Sequence, residues 1–452
     1  MKKLLIIPLS LFLSGCLGNG MDLRAPDQPK DWSVKQSALS QNIDAKDLHQ
    51  WWNKFNDPAL SNLVTLSLAH SPDRLMAEAR ILESRGLRRT SRSFLFPQIG
   101  ASSSTGRENT EISGTSADSF YDAQFDASFE LDIFGQNRKT ASAADATVKA
   151  AEAQYNDATL TLIAEVTRSY IDYRAAQNQV RIANKNLKSQ ERTLDLIRDL
   201  NRLGSAPRLD VERAINLVST TRASVHGFEQ QKENARLRLS VLTGALPAIV
   251  QSHLVSDAEI PGADVEPVLM APAQVLALRP DILAASATLA ANTSLSEAAT
   301  AELFPSFTIS GFYGIADSAL LNAANPWNVG LGAAVSLLDF GRIEGRIDAA
   351  RAREKIAYEQ YRKTILVAVQ DVESAISDYA HIEEQTVSLV RAYKSAEKAL
   401  ELSQALFKEG EVSFLDVLDV QRNANAAESA VISAKAAKAE SLTRMFKSLG
   451  VY

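Results

Sequence analysis

Tyr121, Ala123, Phe125, Ala127, Phe129 and Leu131 alternate along the chain with Asp122, Gln124, Asp126, Ser128 and Glu130. Strict period 2 gives a strand one apolar and one charged face. It predicts a strand over residues 119–134, with residues 97–110, rich in Ser, Thr and Gly, as its hairpin partner. A second pair is expected at 305–316 and 326–340. There Trp327, Val329, Leu331, Ala333, Val335 and Leu337 alternate with Asn328, Gly330, Gly332, Ala334 and Ser336. The tips between partners, residues 108–119 and 316–325, are polar turn material. Each strand is about ten residues or more, the length a tilted strand needs to cross hydrocarbon.

Elsewhere the period changes to that of helices. Residues 136–203 and 346–409 contain neither proline nor glycine. In the second stretch Tyr358, Tyr361, Ile365, Ala368, Val372, Ala375 and Tyr379 fall at alternating steps of three and four, and the seam continues through Ile382, Leu389, Tyr393, Ala396, Leu400 and Phe407. Tyr155, Leu162, Val166, Tyr173, Ala176, Val180, Ala183, Leu187, Leu194 and Ile197 keep the same register in the first. Such a heptad seam, sustained over about eight heptads, predicts two coiled-coil helices of about 100 Å each. Shorter helices, about 208–243 and 414–449, return after turns at Gly204 and Gly410, and two more are expected ahead of the strands at 59–94 and 273–303.

These elements come in two matched sets. Ser71-Pro72-Asp73 is echoed by Arg279-Pro280-Asp281, Phe96-Pro97 by Phe304-Pro305, and Phe134-Gly135 by Phe340-Gly341. From those glycines it is about 69 residues to Gly204 or Gly410 and about 40 more to Gly244 or Gly450. A spacing held that long means one supersecondary unit built twice: helix, two strands, long helix, shorter helix. The first repeat is placed at 59–244 and the second at 273–452. Residues 245–272, with Pro247, Pro261, Pro267 and Pro272, read as a connector.

Composition narrows the class. The net charge of −6 is spread without long single-sign blocks, and no basic patch is interleaved with aromatics, so nucleic acid is not expected as a partner. Met1-Lys2-Lys3 precedes an apolar run over residues 4–13 and then Leu13-Ser14-Gly15-Cys16. That is a secretory signal, too short to span a bilayer. Leu-Ser-Gly-Cys resembles the bacterial lipobox, which implies cleavage after residue 15 and a lipidated Cys16 opening an N-terminal segment, 16–58. Leu17 in place of an aspartate implies the outer membrane. No later stretch is apolar enough for a membrane helix, so any crossing falls to strands. Four strands cannot close, because lipid forbids open edges. Two copies would give eight strands packed shut, and three would give twelve with room for a pore.

The opening signature Trp51-Trp52, Phe55, Asp57-Pro58 and Leu60, together with Arg279-Pro280-Asp281-Ile282, the Ala-rich run to Leu303, Phe304-Pro305-Ser306 and Gly311, resembles the TolC-like outer membrane factors, specifically their NodT/OprM-type lipoproteins. The resemblance covers nearly the whole chain. It implies an α+β membrane channel: a homotrimer closing a twelve-stranded β-barrel, continued by an α-helical coiled-coil tunnel through the periplasm. The implied function is a passive exit duct for drugs or other small toxic compounds, docked to a periplasmic adaptor and an inner-membrane pump, with the RND class expected. The alternatives are a type I protein-secretion channel and, from a different class, a non-conducting trimeric coiled-coil adhesin or spacer lipoprotein. An enzyme is not expected, nor a cofactor: the five histidines lack metal-ligand spacing and there is no Gly-rich phosphate loop.

The resemblance also implies a periplasmic gate just past Gly410, with Leu415 at the apolar constriction, Asp416 and Asp419 at acidic positions and Arg422 as the pairing arginine. Leu209, Asp210 and Arg213 are looser counterparts in the first repeat, and Gly204, Ser205 and Gly410 mark turns offered to the adaptor. Read locally, Ser413 with Asp416 is a capping box and Asp419 with Arg422 an ordinary helical pair.

Overall fold

The computed structural model describes residues 29, 31–33, 40–41, 48–108, 118–262, 265–318 and 321–452. The expected signal peptide and Cys16 lie outside the described residues. In chain order the elements are β1 (Ser40–Gln41), a 3-10 helix (Trp51–Phe55), α1 (Pro58–His70), α2 (Pro72–Ser93), β2 (Gln98–Glu108) and β3 (Asp118–Leu131). The first half continues with α3 (Gln136–Arg202), α4 (Arg208–Thr243) and the short α5 (Pro247–His253). Then come β4 (Val268–Leu269), α6 (Pro272–Leu278), α7 (Pro280–Ala301), β5 (Ser306–Ser318), β6 (Leu321–Ala324), β7 (Trp327–Ala334), α8 (Arg342–Glu409) and α9 (Phe414–Ser448).

The helix expected at 59–94 is two helices, broken at Ser71, and the one expected at 273–303 is broken at Arg279. Both residues precede a proline and are extended, with ψ of 126° and 123°. The proline ring disfavours helical backbone in the residue before it, while itself suiting the first turn of the next helix. Both long helices begin after a left-handed glycine, Gly135 or Gly341, with φ of 86° in each case.

Five of the strands form one antiparallel sheet in which β2 pairs with β3, β3 with β5, and β5 with both β6 and β7, while β1 and β4 pair in parallel as a separate two-stranded sheet. Two expectations need correction. The fourth strand was expected over 326–340 but β7 ends at Ala334, and β6 occupies part of the region 316–325 expected to be a turn. β6 and β7 are successive pieces of one row: Ala324 lies opposite Ala316 and Trp327 opposite Tyr313. Pro326 sits at the break, where a residue without an N–H cannot sustain the ladder, though its carbonyl still accepts from the Gly314 N–H at 3.0 Å. The sheet therefore has four rows.

The main core lies partway along the helices. Trp51 stacks on Phe446, ring centroids 5.2 Å apart, within a buried cluster that includes Trp52, Phe55, Leu442 and Leu449. Burying a large apolar side chain of this kind contributes roughly 1.5–3 kcal/mol. Val250, Leu254, Ile260, Val268 and Met270 belong to the same cluster, so the stretch 245–272 is a packed part of the fold rather than a plain connector. Its prolines at 247 and 272 start α5 and α6, and the apolar side chains between them are drawn into the core. Trp32 Nε1 donates to the Met270 carbonyl at 2.8 Å, tying the N-terminal segment to this belt.

Two buried arginines brace the belt. Arg174, 1% exposed, donates to the Tyr170 hydroxyl at 2.8 Å and to the Ser256 carbonyl at 2.6 Å. Tyr170 donates in turn to Asp57, whose other carboxylate oxygen caps α1 through the Ala59 and Leu60 N–H groups. Burial, with Asp57 beside it, pushes the Tyr170 phenol well above its ordinary range. Arg279 donates to both Asp281 oxygens (3.0 and 2.7 Å), to Asp371 (3.0 Å) and to the Ser448 carbonyl (3.1 Å). A guanidinium with this many acceptors can stay charged inside the protein.

Candidate functional site

The register of the sheet sorts its two faces. Ala101 lies opposite Phe125, Phe125 opposite Tyr313 and Tyr313 opposite Trp327. One apolar line thus crosses all four rows, and Ile99, Ala127, Gly311 and Val329 form the next. These side chains are bare in the single chain: Phe125 is 66% exposed and Val329 73%. The other face carries Asp122, Asp126 and Glu130 of β3, flanked by Ser102, Ser104 and Gln124. Ser104 Oγ donates to Asp122 across the hairpin. Among the described residues no helix is long and apolar enough to cross a membrane.

At about 1.5 Å per residue, α3 and α8 carry the chain about 100 Å from this sheet to the turns at Gly204 and Gly410. Both turns have the same local structure. Gly204 and Gly410 have φ of 74° and 79°, and the following N–H reaches back to the last helical turn, Ser205 to the Leu200 carbonyl at 2.8 Å and Glu411 to the Leu406 carbonyl at 3.0 Å. This is the Schellman closure, which needs a left-handed residue and favours glycine. Gly204, Ser205 and Gly410 are all exposed at this tip.

Beyond the turn, Phe414, Val417, Leu418 and Gln421 of α9 are buried. The three apolar ones join Leu194, Ile197, Ala214 and Val218 in a small core at this end. Helical spacing therefore leaves Leu415, Asp416, Asp419 and Arg422 together on the opposite, exposed face. Leu415 is 38% exposed. Within the chain both local interactions form. Ser413 and Asp416 make a reciprocal capping box, and Arg422 pairs with Asp419. The hydrogen bonds from the Ser413 hydroxyl and N–H hold the Asp416 carboxyl below its usual range.

In the first repeat Leu209 is exposed, and Asp210 pairs with Arg213 at 3.2 Å. Pro207 stands at the position of Ser413, so the capping box has no counterpart there. The acidic sheet face was visible in the sequence only as the polar half of an alternation. Which way that face turns depends on pairing across strands that lie far apart in the chain. Arg174 carried no sequence signal, being one basic residue within a long helix.

A sheet apolar on one face, acidic on the other and, among the described residues, open at both edges, mounted on helices of this length, is the protomer of a membrane channel. The Outer membrane efflux protein family matches residues 63–245 and 271–451, so the two matched blocks fall on the two halves, and the chain belongs to that family. It is similar to the pyoverdine export outer membrane protein OpmQ of Pseudomonas aeruginosa, 30% identical over 471 residues, covering 100% of this chain and 97% of that protein. The probable outer membrane lipoprotein SilC of Salmonella typhimurium is 26% identical over 457 residues, covering 99% and 98%. Among solved structures, the outer-membrane channel OprN superposes with a TM-score of 0.84 at 30% identity, covering 95% of this chain and 99% of that one. The protein is an outer-membrane exit duct of the tripartite efflux type, not an enzyme.

Proposed function

We propose that three copies close a twelve-stranded barrel and a helical tunnel that passively conducts drugs or other small toxic compounds out of the cell. The observation that carries this is the four-row sheet, whose apolar outer face fits hydrocarbon but whose edges, β2 and β7, have no strand partner among the described residues. Lipid tolerates no unpaired backbone, so the barrel must be completed by further copies. Twelve strands leave an open lumen where eight would not. Asp122, Asp126 and Glu130 would line that lumen and favour cations.

The chain receives its cargo from an inner-membrane pump of the RND class through a periplasmic adaptor that grips the tip at Gly204, Ser205 and Gly410. Full-length similarity to a pyoverdine exporter supports small-molecule cargo. Leu415, Asp416, Asp419 and Arg422 form the periplasmic gate, supported by their shared exposed face at the end of the bundle, with Leu209, Asp210 and Arg213 beside them. Cys16 carries the lipid anchor. The test is native mass spectrometry of the detergent-extracted protein followed by conductance in planar bilayers. Trimers that conduct support the duct, whereas a stable monomer or a non-conducting trimer refutes it.

A further inference from the structure

Among the described residues, every arginine and lysine of α3 and α4 pairs with a carboxylate except Lys149, Arg174, Lys185, Lys188, Arg192 and Lys232. Arg174 is buried and satisfied by the Tyr170 hydroxyl and the Ser256 carbonyl. Lys149 lies about 50 Å from Lys185 along α3. The other four line a single groove of about 670 Å³ between α3, α4 and the stretch 245–272.

Helical spacing builds the groove. Arg181, Lys185, Lys188 and Arg192 follow at steps of four, three and four, so they share one face of α3 over about 16 Å. Lys232 faces them from α4. Lys185, Lys188 and Arg192 are exposed. The one carboxylate lining the groove among the described residues, Asp257, accepts from Gln177 at 2.6 Å. Arg181 is held by Glu259 at 3.1 Å and Asn178 at 2.6 Å. On a chain of net charge −6 this is a local concentration of the opposite sign. Asp257 sits between Leu254 and Ile260 of the core belt. That belt would block the passage if it lay inside the duct, so the groove opens on the outer wall of the tunnel, about 70–85 Å from the sheet end of α3.

The arrangement selects its ligand. A small anion needs donors that converge on one point, and these are strung along the helix. A partner helix needs apolar knobs between its charges, and Val180 is the only apolar side chain lining the groove among the described residues. An extended, hydrated polymer with repeated carboxylates meets both conditions, since several weak charge contacts made together hold where one would not. We infer that this groove binds the stem-peptide carboxylates of peptidoglycan, the polymer that a duct crossing the periplasm must pass through. The duct is thereby fastened to the cell wall through Lys185, Lys188, Arg192 and Lys232.

The test is co-sedimentation of the detergent-extracted protein with washed peptidoglycan sacculi, with a run lacking sacculi as background. The wild type should pellet, and less so as salt screens the contacts. Lys185→Gln/Lys188→Gln/Arg192→Gln/Lys232→Gln should pellet several-fold less, as should the wild type on sacculi whose carboxyls have been amidated. Lys149→Gln, the same kind of change outside the groove, should pellet as the wild type does, and Lys185→Arg/Lys188→Arg should keep binding. Native mass spectrometry and bilayer conductance of the fourfold variant confirm that it folds and conducts, so a loss of pelleting reports the groove and not the duct. Equal pelleting of the wild type and the fourfold variant overturns the inference, as does indifference to amidation. Release by millimolar inorganic phosphate at constant ionic strength would make this a small-anion site and overturn the polymer. A fourfold variant that pellets normally but loses its periplasmic adaptor in pull-down would assign the groove to a protein partner instead.

Discussion

A side-chain carbon on Gly450 would stand 2.9 Å from the α-carbon of Arg279 and 2.8 Å from its Cγ. The first half repeats the relationship at Gly244, where the same carbon would collide with the His70 carbonyl oxygen. Both glycines are left-handed, with φ of 78° and 64°. In each half, then, the end of the returning helix is pressed against the break before the proline that starts α2 or α7. Gly450→Ala and Gly244→Ala should each destabilise the protein by roughly 2–4 kcal/mol, through left-handed strain plus overpacking against backbone. Thermal unfolding of the purified protein measures this, and an unchanged midpoint for Gly244→Ala would contradict the close approach.

The resting duct should be closed at the Asp416–Arg422 end. Copies of Asp416 and Asp419 around one axis would bring like charges together, and closure then needs cations near them, a role proposed for Arg422 of an adjacent helix. Asp416→Ala/Asp419→Ala and Arg422→Ala should each raise the resting single-channel conductance in planar bilayers. If neither conducts more than wild type, these side chains only cap and pair along α9, as they do within the single chain.

Cys16→Ala should abolish incorporation of radiolabelled lipid into the mature protein. Trimers should still insert, since one acyl anchor adds only marginal membrane affinity. Undiminished labelling would place any modification elsewhere.

Asp157 gives the stability a pH dependence. Burial, and after it the negative charge of Asp281, hold its carboxyl above the ordinary 3.8, while Lys447 and Arg279 pull the other way. A carboxyl with a raised folded-state pKa stabilises the fold most below its unfolded value. That contribution is lost as pH rises through the folded value. At pH 7 the charge is therefore a cost. Asp157→Asn should raise the thermal midpoint at pH 7, and its advantage should shrink as pH falls toward 3.8. An advantage that grows on acidification would reverse the sign of the argument.

Elements with a periodic signal were legible in the chain itself. The alternation from Tyr121 to Leu131 became β3, the uninterrupted heptads became α3 and α8, and the matched Phe-Gly and Gly punctuation marked two copies of one unit. These signals are local, because period, cap and turn residue act within a few positions of chain. Long-range packing settled the rest: which way the acidic face of the sheet turns, that Val250, Leu254, Ile260, Val268 and Met270 pack into the core, and that Asp57, Tyr170 and Arg174 form one chain of hydrogen bonds. Each of these joins residues far apart in the chain, and no local pattern encodes a partner more than eighty residues away. The extent of the last strand belongs to the same class. Val335 to Leu337 alternate as a strand should, yet alternation supplies only one face, and the hydrogen bonds that complete a strand must come from a neighbour.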